Sequence, residues 1–172
     1  MDADIPGQKL DWQTVSMDNC PVAGALQVLG DKWTLLIVRD AFNGIKRFGE
    51  FCAHTGAPRA LVASRLKDLI ERGVMTRETY QEPGSRQRQQ YVLTAKGRDL
   101  QHTLISLREW GDKYINRPGE HPLELVDIDS GQPVRLGLVR QHDDQLVQDA
   151  RVRAQPGPGL RRQAHSGEST ST

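Results

Sequence analysis

The chain has 172 residues, 37% of them apolar and 26% charged, a composition that can build a core for one domain with an appendage. Its formal net charge of +1 conceals an uneven distribution: residues 31–98 hold 13 Lys/Arg against 7 Asp/Glu, and both flanks lean acidic. No apolar run is long enough to span a membrane, the start lacks the basic-then-apolar order of a secretory signal, and two cysteines cannot build a disulfide framework. The expectation is a cytoplasmic protein whose basic middle suits a polyanion.

Residues 1–18 are polar and aperiodic and read as an N-terminal arm with a short turn around Trp12. Cys20 to Leu29 reads as a first helix, capped by Asn19 or Cys20 and stopped at Gly30, with Val22, Ala25, Leu26 and Leu29 as its buried face. Asp31 is placed to cap a second, nearly buried helix that runs to the Asn43-Gly44 pair. A short strand is expected at Ile45–Phe48, then a third helix at Phe48–His54, then a turn at Thr55-Gly56-Ala57.

The stretch after that turn organises the chain. From Pro58 to Arg72, Leu61, Val62, Leu66, Leu69 and Ile70 recur at helical spacing, and Gly73 suits the stop. The opposite face carries Arg59, Ala60, Ala63, Ser64 and Lys67, small and basic as a major groove requires. An ordinary amphipathic surface helix would show the same stripe; the hairpin after it favours recognition. Val74–Tyr80 and Arg86–Leu93 read as the two strands of that hairpin around Pro83-Gly84, with Arg86 and Arg88 near its tip. A hairpin directly after a recognition helix is a wing, and its arginines either meet the DNA backbone or simply stay solvated.

Thr94 caps an expected long helix from Ala95 to about Ile115, with apolar residues on more than one face, as packing against both the domain and a second subunit would require. Beyond Arg117-Pro118-Gly119, residues 120–154 read as a small β appendage. It would have strands at Pro122–Ile128 and Pro133–Arg140 and a candidate third at Gln145–Arg153. Residues 155–172 are rich in Pro, Gly, Ser and Thr and read as a disordered tail.

In order along residues 20–115, six pieces resemble the HxlR family of winged-helix transcriptional regulators, relatives of the MarR group. They are Cys20-Pro21-Val22, Gly30 to Arg39 (GDKWTLLIVR), Arg47-Phe48, Ser64 to Leu69 (SRLKDL), Gly73 to Arg77 (GVMTR) and Tyr91 to Gly97 (YVLTAKG). The resemblance implies a homodimer on double-stranded operator DNA, and residues 120–159 resemble an extension present on some members. The chain departs from the pattern at Pro58, where the family usually has a polar cap, and at Ala60 and Ala63, where it has longer polar residues, so operator sequence does not transfer. Some extended members carry paired cysteines in the appendage; Arg140 and Asp143 stand near those places here, and zinc is not expected.

The reading is therefore an α+β winged helix-turn-helix with a long C-terminal dimerisation helix and a small β appendage, divided at residues 1–18, 19–116, 120–154 and 155–172. It is a transcriptional regulator with no catalytic constellation, metal site or cofactor, placing helix 58–72 in the major groove and wing 81–88 on the backbone or minor groove. Arg59, Ala60, Ala63, Ser64 and Lys67 face bases; Arg47, Arg65, Arg86 and Arg88 hold phosphates, although Arg65 could equally brace the helix through an internal ion pair. Cys20, at a helix N-terminus, is either a thiol sensor of oxidants or electrophiles, as in some relatives, or an inert packed cysteine. A small molecule at the seam of helix and appendage is the other candidate signal. The competing reading is a winged helix that binds a protein and no DNA.

Overall fold

A computed structural model of the chain describes residues 11–162 except Glu82, Ser85, Pro118, His121, Asp149, Ala150, Arg151 and Arg153. By contact the chain divides into two compact units, residues 28–136, and residues 1–27 with 137–172.

Helix α1 (Pro21–Leu29) starts where Cys20 O accepts the Gly24 N–H at 3.0 Å. Of its expected buried face only Leu29 is buried; Val22 and Leu26 are 65% and 58% exposed. Helix α2 (Lys32–Phe42) is capped as its sequence requires: Asp31 Oδ1 accepts the Trp33 and Thr34 N–H groups at 3.0 and 3.2 Å. No strand forms at Ile45–Phe48. One bond, from Tyr91 N–H to Lys46 O at 2.8 Å, ties that segment to the wing before α3 (Phe48–Thr55) begins. Gly56 closes α3 at φ 68°, a left-handed conformation that a side chain would strain, and so turns the chain into α4 (Arg59–Glu71).

The core lies where α2, α3 and α4 meet the base of the hairpin. Ile37, Val38, Phe51, Val62, Leu66, Leu69, Val74 and Met75 are buried there, and Trp33, Ile70, Tyr91, Leu100 and Leu104 pack around them. Strands β1 (Met75–Tyr80) and β2 (Arg88–Leu93) pair antiparallel, with Met75 opposite Leu93 and Tyr80 opposite Arg88.

The expected long helix is broken into α5 (Ala95–Arg98) and α6 (Gln101–Tyr114). The cause is local. Gly97 is buried so closely against the Val74 carbonyl that a Cβ would lie 2.2 Å from its oxygen. The chain then tightens, with Leu100 N–H donating to Gly97 O at 3.2 Å. Leu100 and Leu104 meet the core, whereas Leu107, Trp110 and Tyr114 face outward at 49%, 58% and 60% exposure. Residues 122–136 come next as a sparse hairpin with one bridge, Val126 to Pro133, and a turn in which Asp127 accepts from Ser130 Oγ. Its ends are tied to α6: Arg108 Nη2 donates to Leu123 O, and Glu109 Oε1 accepts the Leu136 N–H at 2.9 Å.

In the other unit, β3 (Leu138–Val139) pairs with β4 (Leu146–Val147). The stretch read as one strand over Pro133–Arg140 is thus divided between two pairings, and among the described residues the appendage carries less sheet than its alternation suggests. Residues 155–162, read as part of the disordered tail, are described and bonded instead. Ser16 N–H donates to Arg161 O at 2.9 Å, Arg162 Nη1 to Thr14 Oγ1 at 3.0 Å, and Val15 forms a bridge with Arg162. Residues 163–172 lie outside the described residues. The Trp12–Thr14 turn is a single 3-10 turn capped by Asp11. Among the described residues no helix is long and apolar enough to cross a membrane.

Candidate nucleic-acid interface

The outward face of α4 is built by subtraction. Val62, Leu66 and Leu69 are committed to the core, so residues at the complementary helical positions must face solvent. Arg59, Ala60, Ala63, Ser64 and Lys67 are all exposed there. Lys67 Nζ lies 3.7 Å from Glu71 in an exposed pair, too weak and too solvated to immobilise it. Pro58 is the N-cap and makes no side-chain cap, and Arg59 opens the helix.

Aromatic rings extend this face toward the wing, a feature charge counting does not reveal. The Arg59 guanidinium lies 4.8 Å over the Phe48 ring, at the first residue of α3. Its neighbour Arg47 caps α3 and lies 5.0 Å over the Tyr80 ring, and Tyr80 is the register partner of Arg88. Arg59, Arg47 and Arg88 therefore form a strip from the start of α4, across the start of α3, to the outer end of the hairpin. Stacking on a ring orients a guanidinium while leaving its N–H edge available to an anion. Arg47 is also held by Glu50, whose Oε1 lies 3.8 Å from Arg47 Nε and whose Oε2 accepts the Arg47 N–H at 3.0 Å. Arg86 is exposed on the wing. Sequence reasoning missed Arg77, exposed on β1 with its guanidinium 5.7 Å from the Tyr91 ring; the pairing of Arg77 with Tyr91 emerges only from the strand register.

Arg65 stands apart from the other cations. Its Nε donates to Asp31 Oδ1 at 3.0 Å and its Nη1 to Asp68 Oδ2 at 3.3 Å, so of the two uses open to it in the sequence the geometry favours the brace. Partial burial opposes ionisation of Asp31, but the Arg65 hydrogen bond, the Thr34 N–H, the Arg65 charge and the Trp33 N–H outweigh it. They hold the carboxyl below its ordinary value. The hydrogen bond that Arg65 donates to Asp31 leads the effects that raise the guanidinium above its ordinary value, against the cost of burial. A second network locks α3 to α2: fully buried Asp40 is bonded by Arg39 at 2.6 Å and by His54 Nδ1 at 2.8 Å. His54 thus has a carboxylate partner.

Cys20 and Cys52 are free thiols, both half-buried. Among the described residues no group of three or more His, Cys, Asp or Glu side chains could hold a metal ion. Between α6 and the 122–136 hairpin is an open slot of about 370 Å³ lined by Arg108, Asp112, Lys113, Leu123, Leu125 and Val134.

Comparison with known proteins agrees with this geometry. The family model described as HxlR-like helix-turn-helix matches residues 28–118. A protein of Mycobacterium tuberculosis named as an uncharacterised HTH-type transcriptional regulator is 37% identical over 140 residues, spanning 81% of this chain and 87% of its own. The crystal structure of PA1607, a candidate transcription factor, superposes with a TM-score of 0.71 at 42% identity over 82% of this chain and 97% of that one. PA1374 from Pseudomonas aeruginosa, also described as a candidate transcription factor, gives 0.56 at 34% identity over 81% and 94%. The redox regulator HypR in its oxidised form gives 0.50 at 31% identity over 57% and 98%. The fold is a winged helix-turn-helix, and the chain belongs to the HxlR-like helix-turn-helix family of transcriptional regulators.

Proposed function

We propose that the protein is a homodimeric, sequence-specific DNA-binding regulator that seats α4 in the major groove and lays its wing on the backbone or minor groove. The observation that carries this reading is the pair of ring-stacked arginines, Arg59 on Phe48 and Arg47 on Tyr80, which continue the small, basic face of α4 toward Arg88 on the hairpin. Short Ala60, Ala63 and Ser64 allow close approach to base edges, either meeting thymine methyls or clearing space for Arg59 and Lys67. Arg47, Arg86 and Arg88 meet phosphates, and Arg65 braces α4 from inside.

A second copy covers the outward apolar strip of Leu107, Trp110 and Tyr114 on α6. Two-fold symmetry then sets half-sites roughly one helical turn, about 34 Å, apart. The signal enters through modification of Cys20, at the start of α1, or through a small molecule in the slot beside α6. A Cys20→Ser protein keeps its DNA affinity under reducing conditions and loses any sensitivity to a thiol oxidant; a variant that still responds removes Cys20 from the switch.

The test is recovery of duplexes from a random-sequence pool by the purified protein. An enriched two-fold motif supports the reading. Absence of enrichment, with no affinity at low salt, favours the competing role of a winged helix that binds protein.

A further inference from the structure

The reading of α4 as a recognition helix, on which this inference rests, leaves open how the angle of that helix is set. Apolar contacts hold α4 on the core, but they are non-directional, so a helix can roll or slide on its stripe at small cost. Directional bonds of fixed geometry remove that freedom. Arg65 supplies them: its guanidinium fork is planar, and its Nε and Nη1 reach two different carboxylates, Asp31 at 3.0 Å and Asp68 at 3.3 Å. Asp68 lies on α4 itself, whereas Asp31 lies 34 residues earlier, at the start of α2.

One oxygen carries both duties. Asp31 Oδ1 accepts the Trp33 and Thr34 N–H groups that begin α2, and also the Arg65 Nε–H from the middle of α4. The end of one helix and the roll of the other are therefore fixed to the same atom. Arg65 is flanked by exposed Ser64 and is two residues from exposed Ala63 and Lys67. Any rotation of α4 that moves those three stretches or breaks the bond to Asp31.

We propose that the Asp31–Arg65 pair is a positioning device that sets the roll of α4 and so the angle at which Ala63, Ser64 and Lys67 meet base edges, without itself touching DNA. The pair serves discrimination between sequences; general attraction to phosphate comes from the other arginines.

Two variants isolate this role. Asp31→Ser keeps a good helix cap but cannot reach Arg65. Arg65→Lys keeps the charge but loses the fork. Each is titrated against a duplex recovered from a random pool by the wild-type protein and against a scrambled duplex of the same composition, with thermal melting followed in parallel. Each single variant is expected to weaken binding to the recovered duplex by about tenfold, comparable to losing one base-pair contact. Affinity for the scrambled duplex stays within about twofold, and the double variant is no worse than either single one, because the two residues act as one unit. The salt slope does not change.

Proportional losses on both duplexes that track a lowered melting point would show mere destabilisation and overturn the proposal. Full binding by Arg65→Lys, or additive losses in the double variant, would make Arg65 an ordinary cation and overturn it too. Should Asp31→Ser fail to fold, Arg65→Lys alone decides through its ratio between the two duplexes. Wild-type protein that retains no duplex overturns the DNA reading and this proposal with it; wild-type binding with an unchanged ratio in the variants overturns this proposal alone.

Discussion

A carboxylate held below its ordinary value records the state of its partner, and Asp31 gives the α2–α4 junction a measurable pH signature. Because its folded value is depressed, its contribution is present above the ordinary carboxylate value of about 4 and is lost as pH falls through the lower folded value. The wild-type protein should therefore lose stability more steeply than Asp31→Ser as pH drops below about 4, measured by urea midpoints at each pH; parallel curves would deny the Asp31 ion pair a role. The wing arginines predict something different. Arg86→Ala should weaken binding to all duplexes alike and reduce the salt slope by about one unit, whereas an unchanged slope would remove the wing from the contact list. The α4 face was legible residue by residue, because apolar spacing fixes which side chains are left over. The dual bond of Asp31 Oδ1 and the rings under Arg47 and Arg59 were not, because they join residues that are distant in sequence or set by strand register.

Among the elements, the break between α5 and α6 is the most instructive. Gly97→Ala places a methyl carbon against the Val74 carbonyl at 2.2 Å, so backbone must move. The variant should lose roughly 1–3 kcal/mol by urea unfolding, despite the higher helix propensity of alanine. A neutral or stabilised protein would contradict the close approach. Helical spacing alone runs on through Gly97, which is why the sequence reads as one helix from Ala95 to Ile115; the contact that interrupts it lies more than 20 residues away. The same limit explains residues 133–140. Alternation identifies a strand-like segment there, but not that Pro133 pairs toward Val126 while Leu138 and Val139 pair toward β4. Composition is equally blind to long-range pairing in the Pro/Gly-rich segment after residue 154, where Arg161 and Arg162 bond to Thr14, Val15 and Ser16. The helices α2 to α4 and the wing were legible because caps, stops and apolar period agree there.

At the scale of the molecule, the proposed function assigns partners of different chemistry to two exposed surfaces: the basic face of α4 with the wing, and the apolar strip on α6. The second predicts that Trp110→Glu leaves the fold intact but yields a monomer by light scattering, with DNA affinity reduced by more than about tenfold because paired half-sites no longer act together. A dimer that persists with this charge on α6 would place the two-fold elsewhere. DNA binding by the first surface is measured by fluorescence anisotropy of a duplex from upstream of the protein's own gene, titrated from low to high salt with wild-type protein and Arg59→Glu. Wild-type protein should bind tightly at low salt and lose affinity steeply as salt rises, with Arg59→Glu weaker at every concentration; salt-insensitive binding, or an Arg59→Glu protein that binds as the wild type does, would rule out α4 as the DNA-binding helix.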